Sequence, residues 1–208
     1  MEQSDRLRVR DVTNNIIQKI EHANEKSSQR AAMLAMLRNS IGKPLRYANT
    51  VWPLLFENLP EYFLSQNGEE TEEEKAIYIT LQIYALCKQG TSDHVVSDGA
   101  FKGSVGASLK AGKSRSEGME PTDSRALDRR FNTMITADTF DEFVYHLIQL
   151  IKLVKSRTSM TVNFNRLAED LFWYQKGFYQ KICFNWAQDY YTPTYKNIKA
   201  SEEDKNNE

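Results

Sequence analysis

The sequence predicts an all-α protein, a helical bundle of about eight or nine helices in two small lobes. Apolar residues recur at intervals of three and four along most of the chain. Two capping boxes mark helix starts, and no segment alternates apolar and polar residues as a strand does. The chain has 208 residues, 40% of them hydrophobic, so it can bury a core of its own.

Residues 1–90 are expected to form an N-terminal helical lobe. Ser27 is a candidate N-cap for a helix that Gly42 ends, and Thr71 forms a capping box with Glu74. The predicted helices of this lobe span about residues 9–23, 27–42, 49–58 and 71–90.

A basic, glycine-rich connection is predicted at residues 91–122, because this segment holds five of the nine glycines and little hydrophobic periodicity. One short helix is expected within it, at about residues 104–111. The acidic end of the chain, residues 196–208, is expected to be a disordered tail.

Residues 123–195 are expected to form a C-terminal helical lobe. Thr139 and Glu142 form a second capping box, in front of the longest apolar stripe. Arg125 and Arg129 project from the polar side of the first helix. Its apolar face consists of Leu127, Phe131, Met134 and Ile135. The predicted helices of this lobe span about residues 124–135, 140–154, 164–174 and 178–189.

The composition narrows the class of protein. The formal net charge is −1, so the overall charge gives no argument for nucleic-acid binding. The two cysteines, Cys87 and Cys183, lie far apart and predict buried, reduced thiols. No signal-peptide pattern and no run of about 18 apolar residues occurs, which predicts a soluble cytoplasmic protein.

The sequence gives no support for catalysis, a metal site or a cofactor. Cys87, His94 and Asp98 match no zinc-ligand spacing, and no nucleophile elbow or catalytic carboxylate pair is present. The segment ASLKAGKS, residues 107–114, matches a relaxed phosphate-binding loop with Lys113 at the phosphate position. A phosphate loop needs a buried strand before it and a helix start after it, and both are missing, so nucleotide hydrolysis is disfavoured.

Basic residues are clustered, although the overall charge is near zero. Residues 102–130 contain seven basic and four acidic residues. Arg125 and Arg129 are four apart on one helix, where like charges repel, so an external counter-charge is expected. Basic segments that share a face would form a groove that follows a phosphate backbone without reading bases. The candidate nucleic-acid-binding residues are Arg38, Lys43, Arg46, Lys102, Lys110, Lys113, Arg115, Arg125, Arg129, Arg130 and Lys176.

The aromatic residues between Phe172 and Tyr191 have two interpretations. Leu171, Ile182 and Trp186 recur at helical spacing, which favours a core or a subunit interface. A row of exposed rings would instead offer stacking platforms for bases. A helical adaptor that binds only protein through its apolar and aromatic faces is therefore the alternative function.

Six segments occur in an order that is typical of one protein family. In the second half of the chain they are DRRFNTMITADTFDEFVYHLIQLIKLVKS, VNFNRLAEDLFWYQ and FNWAQDYY. Earlier in the chain they are RAAMLAMLRNSIGKPL, WPLLFENLP and GSVGASLK. Together, over about residues 30–191, they resemble the CasB family, the small subunit of the type I-E CRISPR Cascade complex.

This resemblance implies a non-catalytic helical subunit, present in two copies, that touches the backbone and large subunits of Cascade. It also implies contacts with the guide RNA and with the target and non-target DNA strands, through basic surfaces that stabilise the R-loop. Arg129 and Arg130 match paired basic positions of the family, and Arg125 would meet phosphate beside them. One position departs from the family, because Ala107 stands where many members carry a basic residue.

Overall fold

The computed structural model describes residues 7–23, 28–90, 103–115, 121–158 and 160–192. Within these ranges the chain forms nine α-helices and no β-strand, which confirms the all-α class. The helices are α1 (Val9–His22), α2 (Ser28–Asn39), α3 (Trp52–Phe56), α4 (Glu72–Lys88), α5 (Val105–Arg115), α6 (Pro121–Ile135), α7 (Phe140–Lys155), α8 (Phe164–Trp173) and α9 (Tyr179–Tyr191). The predicted cap Ser27, residues 91–102 of the connection and the tail 196–208 lie outside the described ranges.

Both predicted capping boxes lie at helix starts, but only the first is closed. Thr71 Oγ1 accepts from the Glu74 N–H at 3.1 Å, and Glu74 Oε2 accepts from the Thr71 N–H at 2.8 Å. Thr139 Oγ1 accepts from the Glu142 N–H at 3.2 Å, whereas the Glu142 carboxylate accepts from the Asp138 N–H at 3.1 Å. The second carboxylate therefore reaches one residue beyond the predicted donor.

Several helices differ in length from the prediction, and for α3 and α5 the structure shows the cause. α3 is shorter, because Pro53 is tolerated only in the first turn and so holds the helix start at Trp52. α5 is longer and runs to Arg115, so Lys113 lies on a helix and not on a loop. Gly112 allows this extension, because α5 approaches α7 closely there. A Cβ at this position would lie only 2.3 Å from Val154 Cγ1 on α7. Close packing on α7 thus compensates for the low helix propensity of glycine.

The buried apolar side chains of the described residues form one cluster that runs from Val9 to Tyr190. Within it α8 packs on α1 and α4, α5 packs on α9 and α7, and α6 packs on α7. The division into two lobes at residues 91–122 stays a prediction. In the described part of the chain, no helix combines the length and the apolar character that crossing a bilayer requires.

The two cysteines are buried thiols, as predicted. Burial raises the pKa of the Cys87 thiol to about 12 and that of Cys183 to about 11. Because a protonated thiol is a poor nucleophile, both behave as small core side chains.

Candidate nucleic-acid interface

α6 turns one side into the core and presents arginines on the other. Leu127 is 2% exposed, and Phe131 and Met134 are fully buried, which confirms the predicted apolar face. The exposed arginines are Arg125, Arg129 and Arg130. Among the described residues, none of their guanidinium groups has a carboxylate within 4.0 Å. The charge of this face is therefore directed at solvent.

A surface cavity of about 450 Å³ lies on this face, lined by Arg125, Asp128, Arg129 and Asn132. Among the described lining residues, Asp128 alone carries a carboxylate. Oδ1 of Asp128 accepts hydrogen bonds from Lys113 Nζ at 2.6 Å and from the Tyr190 hydroxyl at 2.8 Å. Since Lys113 neutralises Asp128, the two arginines dominate the charge of the cavity.

The packing of α9 against α6 holds the Tyr190 hydroxyl beside Asp128. The rings of Phe131 and Tyr190 stack with centroids 4.1 Å apart and planes within 8°. Burial raises the pKa of Tyr190, and the adjacent Asp128 carboxylate raises it further, so the phenol stays protonated and donates. Next to it, the Tyr191 hydroxyl donates to Asn132 Oδ1 at 2.9 Å. Asp128 and Asn132 are thus held in place before any ligand arrives.

Two predicted bases of the central block, Lys110 and Lys113, lie on α5 and reach toward α9 and α6. Lys113 binds Asp128 of α6, and Lys110 donates through Nζ to the carbonyl of Thr192, just beyond α9. Arg115 is the last residue of α5, but the placement of its side chain lies outside what the structure describes, as does Lys102. The nucleic-acid role of all four stays a prediction.

Lys43 and Arg46 lie elsewhere, in a groove between residues 41–47, α4 and α7 with a volume of about 680 Å³. Lys75 of α4 and Lys152 of α7 line the same groove. Arg46 Nε lies 3.3 Å from the carboxylate of Glu70. In the described ranges, no carboxylate lies within 4.0 Å of the amino groups of the three lysines. The groove therefore carries three available cations.

Two further candidates lie apart from both places. Arg38 donates through Nη1 to the Ala85 carbonyl at 3.5 Å, which joins α2 to α4. Lys176 Nζ lies 3.0 Å from Glu72 Oε2, and this hydrogen bond lowers the pKa of the Glu72 carboxyl. Arg38 and Lys176 therefore link parts of the fold, and the Glu72 carboxylate offsets the charge of Lys176.

Three predicted residues, Arg46, Lys113 and Lys176, thus have carboxylate partners inside the chain. The predicted bases fall into two main groups, one on α6 and one in the groove, and a single continuous track through both stays a prediction. Lys75 and Lys152 were not among the candidates. For Lys152 the sequence does hold a signal, because helical spacing places it on the same face of α7 as Tyr145 and Ile148.

The aromatic-rich segment is divided between core and surface. Trp186 is fully buried and Tyr190 is 4% exposed, which confirms the core interpretation for α9. Phe178 and Phe184 are 50% and 68% exposed. Phe178 follows Gly177, whose φ of 91° breaks the helix between α8 and α9, so the apolar face does not continue through this corner.

The segment that resembles a phosphate-binding loop, residues 107–114, lies inside α5. Its backbone N–H groups take part in helix hydrogen bonds and do not form an anion cradle. Among the described residues, no group of three His, Cys, Asp or Glu side chains could hold a metal ion.

Comparison with known proteins identifies the family. The family model for CRISPR-associated protein Cse2 matches residues 33–191. No curated protein sequence matches the chain.

Solved structures show the same fold. CasB from Thermobifida fusca is 19% identical with a TM-score of 0.62, and the match covers 88% of this chain and 96% of that one. A Cse2-family protein from Thermus thermophilus is 20% identical with a TM-score of 0.59, over 86% of this chain and 97% of that one. Because the family model covers most of the sequence, this chain belongs to the Cse2 family of CRISPR-associated proteins.

Proposed function

We propose that this chain is the non-catalytic small subunit of a type I-E Cascade complex and stabilises its R-loop through contacts that do not depend on sequence. The observation that carries the proposal is the cavity on α6. There Arg125 and Arg129 are exposed, and Lys113 neutralises the Asp128 carboxylate beside them. A polyanion is the ligand that such a cationic surface favours.

Phosphate contacts of this kind suit RNA-guided recognition. The guide reads the target by base pairing, and the exchange of a DNA duplex for an RNA–DNA heteroduplex is nearly balanced in free energy. A protein that adds a few phosphate contacts can therefore decide how long the opened duplex persists. Arg125, Arg129 and Arg130 are the residues that we expect to make these contacts, with Lys43 contributing from the groove.

The proposed partners are the backbone and large subunits of Cascade, the guide RNA, both DNA strands and a second copy of this chain, in the cytoplasm. The experiment is co-purification of the tagged chain with the other Cascade subunits and guide RNA. We expect a stable complex that contains RNA. A chain that is recovered without RNA and without the other subunits would contradict the proposal.

A protein adaptor that does not touch nucleic acid is the second candidate. It is favoured by exposed rings at the corner between α8 and α9 and on α9 itself, among them Trp173, Phe178 and Phe184. Association through these rings would be largely insensitive to salt, because apolar contacts carry no counterion release. A salt series on single-stranded nucleic acid, with and without the partner subunits, separates the two functions.

A further inference from the structure

The groove between residues 41–47, α4 and α7 has features that a phosphate backbone alone does not need. Apolar side chains of Ile79, Val144 and Ile148 line it. Tyr47 and Tyr145 also line it and are 71% and 59% exposed. Its volume of about 680 Å³ lies within the range of sites that enclose small organic ligands. An apolar lining with exposed aromatic rings suits a flat, uncharged ring system.

The wall formed by residues 41–47 is fixed to α4 by hydrogen bonds. The Tyr78 hydroxyl lies 3.1 Å from the carbonyl oxygens of both Ser40 and Lys43. Gln82 Nε2 donates to the Ser40 carbonyl at 2.7 Å. Gly42, with φ of 81°, allows the sharp turn after α2 that starts the wall. The groove is therefore preorganised, which lowers the entropy lost on binding.

Positive charge surrounds the apolar lining. Lys43, Lys75 and Lys152 line the groove with no carboxylate within 4.0 Å among the described residues. Glu70 is engaged, because its carboxylate accepts from the Arg46 backbone N–H at 2.8 Å and from Arg46 Nε at 3.3 Å. Among the described lining residues, Asp141 is the other acidic one. The ligand that this arrangement favours has an aromatic part and an anionic part.

We propose that the groove binds one unstacked nucleotide of a single nucleic-acid strand. Its base lies on the apolar lining beside Tyr47 and Tyr145, and its flanking phosphates meet the three lysines. Aromatic rings combined with cations are typical of single-strand binding, and stacking tolerates any base because every base has a π-face. The inference rests on the proposed function but differs from it, because the base itself contributes to affinity.

The test compares two strands that carry the same phosphates. Fluorescence anisotropy measures binding of the full-length chain to a natural single strand and to a strand of equal length that consists of abasic sites. We expect the natural strand to bind about ten-fold more tightly, from one base stacking on the protein. Tyr145→Ala is expected to abolish this ratio, and Tyr145→Phe to keep it. Tyr62→Ala, which removes an exposed tyrosine ring outside the groove lining, is the matched control that leaves the ratio unchanged.

The contribution of the groove lysines can be measured separately from that of the rings. Lys152→Gln is expected to weaken both strands by the same factor, because it removes a phosphate contact and leaves the base contact. Equal affinity of the wild-type chain for both strands would overturn the nucleotide site and leave backbone contacts intact. Binding of neither strand would also overturn it, since the groove is complete within one chain, while the proposed function is judged separately on the assembled complex. Displacement of the strand by an acidic peptide at equal concentration would likewise contradict it, because a peptide of this kind offers carboxylates but no base.

Discussion

The ammonium nitrogen of Lys113 on α5 lies 2.6 Å from the carboxylate of Asp128 on α6. This contact gives Lys113 a different role from the one that its sequence context suggests. It removes the acidic charge between Arg125 and Arg129, and so it leaves both arginines free for an external anion. Lys113 thus acts indirectly, because by neutralising Asp128 it keeps Arg125 and Arg129 available for an anion.

Replacing Lys113 is therefore expected to weaken nucleic-acid binding indirectly. In Lys113→Ala, the free carboxylate of Asp128 can attract Arg125 or Arg129, and the affinity for a single strand falls several-fold. The double variant Lys113→Ala/Asp128→Asn should recover most of the affinity, because the competing charge is gone. Measured by titration at fixed salt, a double variant as weak as the single one would show that Lys113 itself contacts phosphate. Nucleotide turnover that Lys113→Ala abolishes would instead support the disfavoured hydrolase.

The closed capping box at the start of α4 predicts a cost in stability. Thr71→Ala removes the acceptor of the Glu74 N–H and the donor to the Phe63 carbonyl, the latter at 2.8 Å. We expect the free energy of unfolding to fall by about 1 kcal/mol. Urea denaturation measures it, and Thr50→Ala, at an exposed turn position, serves as the control with no loss. A Thr71→Ala protein as stable as the control would mean that the cap is dispensable.

Replacing Gly106 by alanine is expected to destabilise the protein, contrary to the usual effect of this substitution in a helix. Alanine in place of a helical glycine normally stabilises by about 1 kcal/mol. At Gly106 the added Cβ would lie 2.0 Å from the carbonyl oxygen of Trp186 on α9, so α5 and α9 must separate. We expect Gly106→Ala to lower the thermal midpoint, measured by circular dichroism. An increase would contradict the close approach of these helices.

Asp170 predicts a dependence of stability on pH. Burial raises its pKa from 3.8 to about 6, although Trp186 Nε1 donates to its carboxylate at 2.7 Å. The folded state therefore holds this proton to higher pH than the unfolded state does. Its contribution is fully present below pH 3.8 and is lost as the pH rises to about 6.

Asp170→Asn tests this dependence, since the amide keeps an acceptor for the indole and cannot ionise. The loss of unfolding free energy between pH 4 and pH 6, on the order of 2 kcal/mol, is expected to be smaller in the variant than in the wild type. Denaturation curves at both pH values measure the difference. Identical pH profiles for the two proteins would show that Asp170 ionises normally in the fold.

The local pattern of the sequence predicts the helices well, because caps and apolar periodicity act over a few residues. Thr71 with Glu74, and the buried face of α6 with Phe131, follow from spacing alone. The length of α5 does not, because it depends on Gly112 meeting Val154 of another helix. The local pattern of the sequence therefore predicts the helices but not the contacts between them.

The site was predicted only in part, for the same reason. The exposed arginines of α6 follow from helical geometry. The partners of the other bases do not, since Lys176 meets Glu72, 104 positions away, and Arg46 meets Glu70. Which cations remain available is decided by tertiary contacts between distant segments. Lys75 and Lys152 enter the groove through the same kind of contact.

The most direct test of the central claim is R-loop stability in an assembled complex that carries Arg125→Glu/Arg129→Glu. Both side chains are exposed, so circular dichroism should show an unchanged fold. The matched control is Arg125→Lys/Arg129→Lys, which keeps the charge. We predict that the reversal lowers target affinity by about ten-fold or more and reduces the log–log salt slope by about 0.7 per lost single-strand contact, while the control stays near wild type. Unchanged affinity and an unchanged salt slope in the charge-reversed complex would contradict the account.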